Sequence, residues 1–153
     1  MAIEIERKFL VIGEAWRTAP AVYFCQGYLS RSKERTVRVR VAGELGYLTI
    51  KGATTGASRV EFEYEIPREE AQELLDQFSV SELSKIRYLI NFKGKLWEVD
   101  EFLGENEGLM VAEIELTNEE EEFSLPPWIA KEVTGEEKYY NSNLTQLPFK
   151  NWK

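Results

Sequence analysis

The sequence predicts a mainly β (α+β) fold, in which eight antiparallel strands can close into a barrel with a charged interior and a few helices packed outside. Two observations predict it. Most of the chain alternates apolar and polar residues with a period of two, interrupted by short turn signals. On strand after strand, the polar face also carries like charges two residues apart. The alternating stretches are 3–11, 22–30, 36–42, 46–51, 59–66, 84–92, 95–102 and 110–116, punctuated by Gly43, Gly52, Gly56, Lys93-Gly94 and Gly104.

Three helices are expected outside the strands. One opens at Pro67 and carries Ala71, Leu74, Leu75 and Phe78 on one face, a stripe suited to packing on a sheet. A second is expected after Pro126-Pro127, running to about Val133 and ending at Gly135. The third covers roughly 137–144, and residues 119–122 read as a solvated acidic turn. No linker, repeat or low-complexity tract divides the chain, so residues 1–153 are expected to form a single domain.

Split by face, the first strand sets Ile3, Ile5 and Phe9 against Glu4, Glu6 and Lys8. Val37, Val39 and Val41 oppose Arg38 and Arg40, and Leu48 and Ile50 oppose Thr49 and Lys51. Val60, Phe62 and Tyr64 oppose Glu61 and Glu63, while Ile86 and Tyr88 oppose Lys85 and Arg87. Trp97 and Val99 oppose Glu98 and Asp100, and Ala112 and Ile114 oppose Glu113 and Glu115. An ordinary sheet with one wet face would account for any single strand. It does not account for the same-sign pairs, which offer no mutual stabilisation and need something else to neutralise them. A closed barrel of about eight strands holds packed side chains or one small ligand. If the charged faces point inward, the helices must cover the apolar ones.

Composition narrows the chemistry. The chain has no histidine and one cysteine, Cys25, which reads as a core residue. That removes nearly every zinc, copper and iron site and removes histidine as a base. Any catalytic metal must then be a hard, oxygen-bound cation such as Mg²⁺ or Mn²⁺. A net charge of −8 argues against a nucleic-acid partner. No run is long enough to span a membrane and no signal-peptide core is seen, so a cytoplasmic location is expected. Residues i and i+2 of a strand lie about 7 Å apart, which lets a basic pair grip different phosphates of a short polyanion. Acidic pairs in the same interior would hold the metal.

Glu4-Ile5-Glu6-Arg7-Lys8 resembles the Glu-x-Glu-x-Lys signature of the CYTH superfamily, also called triphosphate tunnel metalloenzymes. The later elements follow in that family's order: Val37-Arg38-Val39-Arg40, Leu48-Thr49-Ile50-Lys51, Arg59-Val60-Glu61-Phe62-Glu63, Lys85-Ile86-Arg87, Trp97-Glu98-Val99-Asp100 and Ala112-Glu113-Ile114-Glu115. The tail from Glu132 to Asn141 also resembles the closing segment of small bacterial members. The resemblance implies an eight-stranded tunnel that binds a triphosphate with a divalent metal. The family includes inorganic, thiamine and RNA triphosphatases and class IV adenylate cyclases, and this chain is most similar to the bacterial tripolyphosphatases.

With the charge pattern, the resemblance implies that Lys8, Arg38, Arg40, Lys51, Lys85 and Arg87 bind phosphates. It implies that Glu4, Glu6, Glu61, Glu63, Asp100, Glu113 and Glu115 hold metal, directly or through water. Glu4, Glu6 and Lys8 are expected to form the catalytic set with Tyr28, which shares the inward face of its strand with Gln26 and reads equally as a phosphate or water donor and as a buried structural tyrosine. Arg59 is in phase to reach the tunnel mouth but reads more simply as a surface arginine, and Lys138 reads equally as closing the tunnel end and as a surface residue. The expected reaction is in-line attack of water on a terminal phosphoryl group of tripolyphosphate, giving orthophosphate and diphosphate. Thiamine triphosphatase and adenylate cyclase are the enzymatic alternatives, and a non-catalytic polyphosphate- or nucleotide-binding module is the alternative outside catalysis. An apolar outer face left bare by the helices could support a homodimer.

Overall fold

A computed structural model describes residues 3–152. The strands are β1 (Ile3–Val11), β2 (Ala21–Ser32), β3 (Arg35–Ala42), β4 (Leu45–Lys51), β5 (Ser58–Ile66), β6 (Glu82–Phe92), β7 (Lys95–Phe102), β8 (Met110–Glu115) and β9 (Ile129–Glu132). The helices are α1 (Arg68–Phe78) and α2 (Asn141–Leu144). All neighbouring strands run antiparallel, in the order β5-β4-β3-β2-β6-β7-β8-β1-β9, and a β5–β1 pairing closes eight of them into a barrel. The predicted strand bounds agree with these to within two residues.

β1 is the seam. β8 pairs along one of its edges from Glu6 to Leu10. β5 and β9 share the other edge in succession, β5 against Ile3, Glu4 and Ile5 and β9 against Phe9 and Val11. This vacant stretch of edge explains the first departure from expectation. The segment after Pro126-Pro127 is not a helix but a turn followed by strand β9, because unpaired N–H and C=O groups on β1 are there to be met. The second departure is at 137–144, where Tyr140 is extended (φ −67°, ψ 134°) and splits the expected helix into a 3₁₀ turn (Glu137–Tyr139) and α2. The break lets Tyr139 and Leu144 enter one apolar cluster while Tyr140 turns toward the interior.

The apolar faces pack outside, as the alternation requires. Ala71 and Leu75 of α1 bury against Val39 and Val41. Gly27 permits that approach, since a Cβ there would lie 2.8 Å from Leu75 Cδ2 and 2.5 Å from Ser79 Oγ. Phe78, on the predicted stripe, is 60% exposed because the helix ends at it and the chain turns away at Ser79. A second cluster joins Phe9, Val99, Ala112 and Ile114 to Trp16, Trp97 and Trp128, with Trp97 edge-on to Trp128 and Phe123. Cys25 is half-buried beside the α1 cluster. Around residues 119–122 the chain is more than solvated: Glu119 accepts from the Ala57 N–H, and Glu121 binds Lys95 and Thr117.

One cluster has a direct bearing on the interior. Leu83, Phe102 and Val111 share the inward phase of Lys85, Asp100 and Glu113, and with Leu109 they are capped by Val133, Tyr139 and Leu144. An apolar floor therefore closes one end of the charged interior. Outside, Ile50, Phe62 and Tyr64 of β4 and β5 remain exposed. Among the described residues, no helix is long and apolar enough to cross a membrane.

Candidate active site

The inward phase of the strands brings both signs of charge into one cavity of about 220 Å³. Drug-sized ligands occupy pockets of roughly 300–1,000 Å³, so this volume suits a smaller, ionic ligand. Around the ring, β3, β2 and β6 lie opposite β8, β1 and β5, with β4 and β7 between them. That order separates the charges into two walls.

The basic wall carries Arg38 and Arg40 from β3, Gln26 and Tyr28 from β2, and Lys85 and Arg87 from β6. Lys85 Nζ donates to Asp100 Oδ2 and to Asn141 Oδ1, each at 2.7 Å. Arg87 grips the same carboxylate with Nε and Nη2 at 2.7 and 2.8 Å. Burial pushes the Asp100 carboxyl up, but Arg87 and Lys85 overcome this and hold it well below the usual range. Burial, then crowding by Arg87 and Arg40, brings Lys85 down to about 7 in spite of Asp100. Among the described residues Arg40 hydrogen-bonds only neutral Gln26 Oε1, at 2.8 Å, and burial together with Arg38 and Arg87 lowers it to about 9. The buried Nε of Arg38 has no partner among the described residues. This wall is short of negative charge.

The acidic wall carries Glu4 and Glu6 from β1, Glu61 and Glu63 from β5, and Glu113 and Glu115 from β8. Lys51, on flanking β4, donates to Glu4 Oε1 and Oε2 at 2.9 and 3.1 Å and lies 3.2 Å from Glu61. Glu63 accepts from Thr49 at 2.9 Å and lies 3.5 Å from Arg38. Although burial opposes it, Lys8 and Arg87, at 3.7 and 3.9 Å, hold Glu113 down to about 2. Glu6 and Glu115 face each other directly across the β1–β8 ladder, and neither has a cationic partner among the described residues. Burial, then Glu113 and Glu4, pushes Glu6 up to about 8. Burial and Glu4, Glu61 and Glu98 raise Glu115. Like charges facing each other on a sheet are destabilising, so this wall is short of positive charge.

Among the described residues, no three carboxylates converge into a closed metal cage. The donor set still fits a hard cation. Magnesium demands octahedral oxygen ligation, keeps several waters, and is usually bound by one or two carboxylates plus phosphate oxygens. Glu6 and Glu115 offer carboxylates with no cationic partner among the described residues, beside Glu4, and across the cavity stands Arg40, which meets no carboxylate among them.

Of the residues singled out from sequence, Glu4, Glu6, Lys8, Tyr28, Arg38, Arg40, Lys51, Glu61, Glu63, Lys85, Arg87, Glu113 and Glu115 line this cavity. Asp100 lies behind its surface, 1% exposed, with both oxygens taken by Lys85 and Arg87. Tyr28 is buried, and its hydroxyl accepts from Gln26 Nε2 at 3.3 Å. Arg59 reaches the lining, held to the Gly52 carbonyl at 2.9 Å, whereas Lys138 stacks outside on Tyr139 and Trp152. Sequence reasoning set Glu98 on the charged face beside Asp100 without giving it a role, and it missed Thr134, Tyr140 and Asn141. These three sit on the irregular C-terminal segment, where no alternation marks which side faces inward.

Residues 2–148 match the model of the CYTH domain. An inorganic triphosphatase of Acetivibrio thermocellus is 52% identical over 155 residues, covering 100% of this chain and 99% of the relative. An inorganic triphosphatase of Nitrosomonas europaea is 34% identical over 145 residues, covering 92% of this chain and 95% of the relative. A crystal structure of an inorganic triphosphatase superimposes with a TM-score of 0.63 at 32% identity, covering 93% of this chain and 97% of the other.

Proposed function

The chain belongs to the CYTH family, and on that premise we propose that it hydrolyses inorganic triphosphate to diphosphate and orthophosphate with the help of a divalent cation. The observation that carries this reading is the pair of opposed walls, one lacking negative charge and the other lacking positive. A short polyphosphate and a hard cation, bound together, would complete both.

The roles follow from what each group already touches. Arg38, Arg40, Lys85 and Arg87 seat the phosphates, and Lys8 reaches them from the opposite side. Asp100 is assigned to holding Lys85 and Arg87 in place instead of binding metal, because neither of its oxygens is free. These cations stabilise charge on the transferred phosphoryl and on the leaving diphosphate, and being fixed beforehand they need no reorganisation as it develops. Glu6 and Glu115, with Glu4, hold the cation, which is magnesium or manganese in this reading. When bound, it would offset phosphate charge and polarise a phosphoryl oxygen. With no histidine in the chain, a carboxylate of the acidic wall accepts the proton of the attacking water. Glu61 and Glu63 are instead paired with Lys51 and Arg38. A second copy of the chain would seat on the bare Ile50, Phe62 and Tyr64 face, which sedimentation of wild type against Phe62→Glu would test.

The deciding assay incubates the protein with Mg²⁺ or Mn²⁺ and tripolyphosphate, ATP, thiamine triphosphate or pyrophosphate, measuring orthophosphate and cyclic AMP. Preferential release of orthophosphate from tripolyphosphate is expected. Binding without turnover of any triphosphate would replace the enzyme with a binding module, and cyclic AMP from ATP would replace the hydrolase with a cyclase.

A further inference from the structure

Lys8 is tied down differently from the other interior lysines. Lys85 and Lys51 are fixed through their ammonium groups by bonds of 2.7 and 2.9 Å. The Lys8 ammonium has no such bond among the described residues: Glu113 is 3.7 Å away, outside hydrogen-bonding distance, and the Tyr140 ring centre lies at 5.3 Å. Its backbone is held instead. The Lys8 N–H donates to Thr134 Oγ1 at 2.9 Å, and its carbonyl accepts from the Val133 N–H at 2.8 Å. The Thr134 hydroxyl donates in turn to Glu132 Oε2 at 2.7 Å. Glu132 is gripped on the outer face of the barrel by both arms of Arg7, at 2.8 and 2.6 Å, and Arg7 lies over the Phe123 ring at 4.9 Å.

The strand period explains why this ring of contacts closes. Arg7 and Lys8 are sequence neighbours and point to opposite faces, so the carboxylate outside and the ammonium inside share one stretch of backbone. Thr134 and Gly135, which continue past Glu132, form part of the cavity wall beside Lys8.

We propose that Glu132, outside the barrel, is a positioning residue for Lys8, acting through Thr134 and anchored by Arg7. The proposal rests on the reading that Lys8 binds the triphosphate. Glu132 touches no substrate. Its carboxylate orients the Thr134 hydroxyl so that an oxygen lone pair faces the Lys8 N–H, which sets where the Lys8 side chain leaves the strand.

Calorimetric affinity for tripolyphosphate in the presence of chelator, free of metal and turnover, tests this. Glu132→Ala should weaken binding about tenfold, close to what losing one charge-assisted contact costs. Glu132→Gln, which keeps an acceptor for Thr134, should lose less. Thr134→Val leaves the Arg7–Glu132 pair intact and should reproduce the Glu132→Ala loss, which covers the case where Glu132→Ala folds poorly. The decisive comparison is made in a Lys8→Ala background, where adding Glu132→Ala or Thr134→Val should cost nothing more. If those losses are as large without Lys8 as with it, Glu132 is merely structural and the proposal is overturned. If Lys8→Ala alone leaves affinity unchanged, Lys8 is not a phosphate ligand, and the failure lies in the functional reading beneath it.

Discussion

Lys85 and Glu6 lie on opposite walls of one cavity and are held in opposite ways. Lys85 is locked by Asp100 and Asn141, in a cluster where Arg87 shares the same carboxylate and Arg40 crowds it. Glu6 faces Glu115 with Glu4 and Glu113 nearby, and no cation closes on it among the described residues. The basic wall is built in advance, by a counter-charge on the flanking strand β7. The acidic wall is only partly compensated, through Lys51 on the flanking strand β4 and Lys8 on its own. The difference teaches that a barrel can store two kinds of demand in one interior. One wall orients its charges without a ligand, and the other leaves its charges for a ligand to resolve.

Removing the organiser of the basic wall should have the largest effect. Asp100→Ala would leave Lys85 buried without a carboxylate partner among the described residues and Arg87 with only Glu98 and Glu113, and breaking such a buried pair costs about 3–5 kcal/mol. Chemical denaturation should show that loss even without metal or substrate. Arg40→Ala should act the other way on the same wall: it relieves crowding, so stability should hold or rise, while tripolyphosphate affinity falls at least about tenfold by titration. On the acidic wall, Glu6→Gln should leave metal-free stability unchanged or raised by up to about 1 kcal/mol, because burial and the neighbouring Glu113 and Glu4 already penalise the charged form that the amide cannot adopt. The same variant should lose metal-dependent turnover. Equal destabilisation by Asp100→Ala and Glu6→Gln would erase the contrast between the walls.

Much of this arrangement could be read before any coordinates. Period-two alternation assigned Arg38, Arg40, Lys85 and Arg87 to one surface and Glu4, Glu6, Glu113 and Glu115 to the same surface, because a strand has only two faces. What alternation cannot carry is order around the ring. That β3, β2 and β6 lie opposite β8, β1 and β5 depends on long-range pairing, and no local pattern encodes that Asp100 would spend both its oxygens on neighbouring β6. The C-terminal segment was misread for a related reason. Residues 127–133 have no strong period, and their strand form comes from the edge of β1 that β5 leaves open. Asn141, which accepts from both Lys85 and Gln26, reaches the interior only because the helix breaks at Tyr140.

The most direct test of the two-wall account is a pair of separate titrations, Mn²⁺ alone and tripolyphosphate with chelator, run on wild type, Glu6→Gln and Arg40→Ala. The account predicts a clean crossing. Glu6→Gln should lose affinity for Mn²⁺ and keep it for metal-free tripolyphosphate, and Arg40→Ala should do the reverse. If Glu6→Gln bound Mn²⁺ as wild type does, or if each variant weakened both ligands alike, the division of labour between the walls would be contradicted.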